Sequence, residues 1–186
     1  MNNLSQNRPS MSAQNLALVG VMTAVTCILG PIAIPLPVSP VPITFTTLAI
    51  YLAVYVLGTK YGTISCILYL LLGTVGLPIF SGFSGGPAKL AGPTGGYLAG
   101  FIFIALIAGF FIESFSGKIF PAVAGMATAT AVCYLFGTFW LARQMNLTFT
   151  AALTIGVIPY LIGDTVKIVI AALLGPKLKK AIARLS

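Results

Sequence analysis

Apolar residues in this chain come in long, nearly uninterrupted runs instead of alternating with polar ones. Six runs stand out, over residues 13–29, 43–57, 61–77, 96–112, 119–142 and 159–182. A helix that is hydrophobic on every side is buried in a large core or in lipid, and about 20 apolar residues in helical form cross a bilayer. The pattern therefore predicts an all-α, polytopic membrane protein: one six-helix bundle over residues 13–186, preceded by a disordered or interfacial tail over residues 1–12. Several runs are short for a span, so tilt or local thinning of the bilayer must make up the difference. No internal repeat marks the chain as two inverted halves.

The breaks between runs are less ordinary. GPIAIPLPVSPVPITF, from Gly30 to Phe45, places prolines at 31, 35, 37, 40 and 42; each removes a backbone donor and forbids regular helix, which predicts a rigid, extended connection. The stretch from Gly73 to Gly100 is crowded with glycine yet keeps Phe80, Phe83 and Leu90. Mobile linkers are richer in serine and poorer in aromatics. This segment is expected to fold back over the helix ends as a lid, its glycines allowing tight turns and close backbone approach. Near the C-terminus, Gly156 and Pro159 suit a turn followed by a helix start, which makes 148–155 a short interfacial helix and begins the last span at Pro159.

Charge then fixes an orientation and removes function classes. Ten Lys and Arg face only two carboxylates, with no His, and charged residues make up 6% of the chain, against about a quarter in soluble domains. With the N-terminus inside, the cytoplasmic side receives Arg8, Lys60, Lys118, Lys177, Lys179, Lys180 and Arg184, and the other side only Lys89 and Arg143, as the positive-inside rule requires. The basic excess is thus topological, and nucleic acid is not an expected partner. Without His, and with Cys27, Cys66 and Cys133 far apart in apolar runs, no zinc ligand set exists. A phosphate-binding loop is missing too. The chain is not expected to be an enzyme or to carry a cofactor. Trp140 reads as a membrane-interface anchor.

Apart from the lysines at the cytoplasmic end of the last run, the charged side chains inside a run are Asp164 and Lys167. Three residues apart on a helix, they share a face. Ionisable residues in spans face the bundle interior and mark solute or ion pathways; the competing reading is a neutralising pair that only fixes packing. As a site, the carboxylate accepts hydrogen bonds and the ammonium donates them, matching a small ligand with both N–H donors and a carbonyl or carboxylate. Phe80, Phe83 and Tyr97 are candidates to enclose its apolar body, and Tyr160 is a further candidate for the site.

Three segments together, PVPITFTTLAIYLAV from Pro40, GLPIFSGFSGGPAKLAGPTGGYLAGF from Gly76 and GVIPYLIGDTVK from Gly156, closely resemble the BioY family, the biotin-binding S component of energy-coupling factor transporters. The resemblance covers nearly the whole chain after its polar start. It implies capture of biotin from outside a bacterial cytoplasmic membrane, both termini in the cytoplasm, and association with a transmembrane coupling subunit and two ATPase subunits. In that family a small-residue face of the first helix is thought to meet the coupling subunit, which assigns docking to Ala13 and Ala17. Asp164 would accept from the ureido N–H groups, with Lys167 donating to the ureido carbonyl or pairing with the tail carboxylate; Lys89, or backbone N–H groups near Gly85, Gly86, Gly95 and Gly96, could serve that carboxylate at the mouth. The alternatives are an S component for another vitamin and an autonomous secondary carrier.

Overall fold

A computed structural model describes residues 12–37 and 39–184 of the chain. Helix α1, Ala13–Leu29, begins at Ser12, whose side chain accepts from the Asn15 N–H and so satisfies one donor of the open helix end. Residues 1–11, most of the expected tail, lie outside the described residues.

The proline-rich connection is a β-hairpin. Strands β1, Ala33–Leu36, and β2, Ser39–Thr44, pair antiparallel with Ala33 opposite Thr44 and Leu36 opposite Ser39, and the register is irregular between Ile34 and Leu36. An extended segment was expected here and its pairing was not. Both strands of a two-stranded ribbon are edges, where proline's missing N–H breaks no ladder.

Helix α2, Thr46–Val75, unites the second and third predicted spans but is not one straight rod. Gly58 takes φ +76° and ψ −178°, left-handed space that side chains avoid. A Cβ built on Gly62 would sit 3.0 Å from the Val54 Cα. Along an unbroken helix these residues would be about 12 Å apart, so the chain reverses at Gly58 into two antiparallel arms.

After a short helix α3, Pro87–Ala91, come α4, Gly95–Ser114, and α5, Ile119–Met145. Short α6, Phe149–Gly156, leads through a 3-10 turn, Ile158–Tyr160, into α7, Leu161–Ala183. Among the described residues, four stretches are long and apolar enough to cross a membrane, Thr46–Val75, Gly95–Ser114, Ile119–Met145 and Phe149–Ala183; α1 is a shorter apolar helix. Counting the two arms of α2, six helical rods form the bundle.

The first arm of α2 is its central pillar. Ala49, Ile50, Tyr51, Ala53, Val54 and Tyr55 are all buried. Tyr51 reaches Thr130 on α5 at 2.5 Å, and the bare face of Gly175 on α7 lies against the Tyr55 ring. Helix α1 packs on the second arm, where Thr23 and Ser65 hydroxyls meet at 2.9 Å. Glycines bring α4 onto α5, Gly100 against Cys133 and Gly137 against the Tyr97 ring. Cys66 and Cys133 are buried and all three cysteines are free.

The two ends of the bundle differ. One end carries the turn at Gly58, where Glu113 accepts a hydrogen bond from the Thr59 hydroxyl. The other carries the hairpin, the glycine-rich segment and the α6 turn, tied together by Gly82 N–H to Pro31 O at 3.0 Å and Trp140 Nε1 to Gly92 O at 2.9 Å.

Candidate solute-binding site

Asp164 sits in the first turn of α7, where a helix end favours negative charge, and Lys167 lies one turn on. The Lys167 Nζ donates to Asp164 Oδ1 at 2.7 Å, and Tyr134 on α5 donates to Asp164 Oδ2. The two charged residues are 9% and 7% exposed, so each is held in a dry interior by a partner that offsets the cost of burial.

Both face a chamber with about 470 Å³ of space free of protein atoms. Its walls come from β2 (Val41 to Thr44), the start of α2 (Thr47), α4 (Tyr97, Phe101, Ile104), α5 (Thr130, Cys133, Tyr134) and the α7 entrance (Tyr160, Asp164, Lys167). A mostly apolar cavity with a few converging polar groups is the usual form of a small-molecule site. The Thr47 hydroxyl, on this wall, is buried without a hydrogen-bond partner among the described residues, which leaves it able to donate or accept.

An adjoining cleft shares Val41, Pro42, Thr44, Tyr97 and Phe101 with the chamber and adds Ser81 and Thr94. Pro42 and Ser81 also border an outer basin of about 740 Å³, and Lys89 stands on that basin's wall. Burial lowers the Lys89 pKa from its ordinary value. The chain's two carboxylates, Asp164 and Glu113, are both tied to donors elsewhere.

Of the residues singled out from the sequence, Asp164, Lys167, Tyr97 and Tyr160 meet at the chamber. Tyr97 donates to Gly156 O at 3.0 Å, and Tyr160 to Ser39 Oγ at 2.7 Å and to Val41 O. The expectation for the lid needs correction. Phe80 is fully buried, edge-on to Tyr69 at 5.5 Å between centroids and flat against Gly73; it roots the lid instead of facing a solute. The Gly86 N–H is engaged by Gly73 O at 2.7 Å, and the Gly95 N–H by Gly92 O at 3.0 Å. A Cβ at Gly85 would strike Leu77 O, at Gly95 Leu90 O, and at Gly96 the Trp140 side chain. Gly85, Gly95 and Gly96 pack closely against neighbouring chain, Gly86 takes φ +91°, and none of the four lines the chamber. Trp140 ties the lid down through its indole N–H. Ala13 and Ala17 are exposed on α1.

Sequence reasoning missed Tyr134, Thr130, Thr47 and β2. A tyrosine in an apolar run carries no signal of its own, and the partner that gives Tyr134 meaning is 30 positions away.

The model of the BioY family matches residues 2–184. A biotin transporter BioY of Thermotoga maritima is 39% identical over 170 residues, covering 90% of this chain and 96% of its own. A probable biotin transporter BioY of Pyrococcus horikoshii is 37% identical, covering 91% and 98%. The crystal structure of the S-component for biotin from an ECF-type ABC transporter matches with a TM-score of 0.83 at 30% identity, covering 90% of this chain and 91% of that one. In sequence and in fold, therefore, this multi-pass membrane protein belongs to the BioY family.

Proposed function

We propose that this chain captures biotin from outside the cell and carries it across the cytoplasmic membrane as the substrate-binding subunit of an ATP-driven energy-coupling factor importer. The observation that carries this reading is the buried Asp164–Lys167 pair on the wall of a largely apolar chamber. Biotin presents two ureido N–H donors beside one carbonyl, an apolar bicycle and chain, and a terminal carboxylate. Asp164 accepts from a ureido N–H, and Lys167 donates to the ureido carbonyl beside it. The apolar walls of Tyr97, Phe101 and Ile104 take the ring sulfur and chain. The tail then runs under β2 toward the outer basin, where Lys89 meets the carboxylate.

In this reading both termini are cytoplasmic, and the hairpin end opens outward. That end bears Lys89 and Arg143, while Lys60, Lys118, Lys177, Lys179, Lys180 and Arg184 gather at the other, in keeping with the positive-inside rule. Hydrolysis of ATP belongs to separate cytoplasmic subunits. The exposed Ala13–Ala17 face of α1, with Gly20 bare beside it, allows a helix of the coupling subunit to approach closely.

The test is to purify the protein from cells supplied with biotin, identify the co-purifying small molecule by mass spectrometry, and titrate the emptied protein with biotin, riboflavin and thiamine. Selective biotin binding is expected; preference for another vitamin overturns the assignment. Sustained uptake by vesicles holding this chain alone would instead make it an autonomous carrier.

A further inference from the structure

Asp164 borders two spaces at once. With Thr130 and Tyr134 it lines the chamber, and the same three residues line a second opening of about 430 Å³ on the flank of the bundle between α5 and α7. Ala127, Ala131, Leu161 and Thr165, all exposed, complete that flank.

The ion pair with Lys167 cannot decide which way the carboxylate points, because both residues belong to α7 and turn with it. Tyr134 approaches from the neighbouring helix, and its O–H takes the second carboxylate oxygen. One donor on each oxygen fixes the carboxylate plane across the α5–α7 seam. An ionised carboxylate has about four lone-pair positions, so each oxygen keeps one for a ligand N–H.

We propose that Tyr134 is the positioning residue for ureido recognition: its hydroxyl aims Asp164 into the chamber and away from the lateral opening. The inference rests on the biotin reading given above. Without that hydroxyl the carboxylate is free to rotate toward the flank, and the ligand N–H loses an aligned acceptor while the chamber keeps its shape.

The test compares wild type, Tyr134→Phe and Thr165→Val in detergent, titrated with biotin and with biotin methylated on one or other ureido nitrogen. Tyr134→Phe is expected to weaken biotin roughly 10- to 100-fold, the range for a hydrogen bond to a charged group. It should also shrink the penalty for methylation, because the N–H to carboxylate bond is already compromised. Thr165 borders the lateral opening alone and donates to Leu161 O at 2.7 Å; its substitution should change affinity less than about twofold, the scale of surface changes. Unchanged affinity in Tyr134→Phe overturns the inference, as does weaker binding with an unchanged methylation penalty or an equal loss in Thr165→Val. If Tyr134→Phe does not fold, Tyr134→Met is the second variant; failure of both makes the residue a structural strut and also overturns it. Wild type that binds no biotin overturns the functional reading instead.

Discussion

Tyr160 and Ser39 stand 121 positions apart and are joined by a hydrogen bond of 2.7 Å. The phenol also reaches the Val41 carbonyl, so a side chain at the entrance to α7 holds the β2 strand that roofs the chamber. A neutral hydrogen bond of this kind contributes about 1 kcal/mol. If that contact is what keeps the roof closed over a bound solute, Tyr160→Phe should raise the biotin dissociation rate by up to about fivefold, measured by chase of radiolabelled ligand.

Asp164 and Lys167 answer for each other. Removing one partner strands a buried charge, at a cost of about 3–5 kcal/mol, whereas removing both leaves none. Asp164→Asn and Lys167→Met should each abolish measurable biotin binding. In thermal melts the double variant should be more stable than Lys167→Met, which leaves Asp164 unpaired. A double variant less stable than either single one would contradict this account.

The reversal at Gly58 should be intolerant of substitution. A Cβ there would sit 2.2 Å from Glu113 Oε1 in a left-handed backbone, so Gly58→Ala should destabilise the bundle by more than about 1 kcal/mol. Gly20 has nothing within 4 Å of its Cβ position, and Gly20→Ala should be neutral or stabilise α1 by up to about 1 kcal/mol. Melting temperatures of the two variants check the contrast.

If Lys89 meets the biotin carboxylate as proposed, biotin affinity should depend on pH. A lysine whose pKa burial has lowered from 10.5 is charged below that lowered value and neutral above it. Its attraction for the biotin carboxylate is therefore full below that lowered value and lost as pH rises through it, earlier than for a surface lysine. Titrations from neutral to alkaline pH should show this fall for biotin, but not for its methyl ester or for Lys89→Met.

Bulk on the exposed face of α1 should separate docking from binding. Ala13→Leu with Ala17→Leu is expected to reduce co-purification of the coupling subunit and to leave biotin affinity in detergent unchanged.

What the sequence disclosed follows from which signals are local. Two charges in an apolar run are rare enough to name a site, and Asp164 and Lys167 stand on the chamber wall. The prolines from 31 to 42 announced extended chain, but pairing of Ala33 with Thr44 depends on a return path that composition does not encode. The lid glycines allowed two readings for a related reason. A bare Cα permits close approach, and nothing in the chain tells whether a ligand or another part of the protein approaches; at Gly85, Gly95 and Gly96 it is Leu77, Leu90 and Trp140. Tyr134 and Thr47 were silent because their value lies in what faces them across the bundle.

The short first arm of α2 has a consequence for how a small bundle makes room. Residues 46–57 rise only about 18 Å, in a layer about 30 Å thick. A lipid-facing helix of that length would have to distort the bilayer around it, but this one is sheathed by its neighbours and is excused from matching the membrane. The roughly 12 Å it leaves unfilled accounts for a vault above its first turn, where Thr44 and Thr47 meet the chamber. The hollow is thus a missing length of helix roofed by a hairpin, and lengthening the pillar by about two turns at its start would fill most of it.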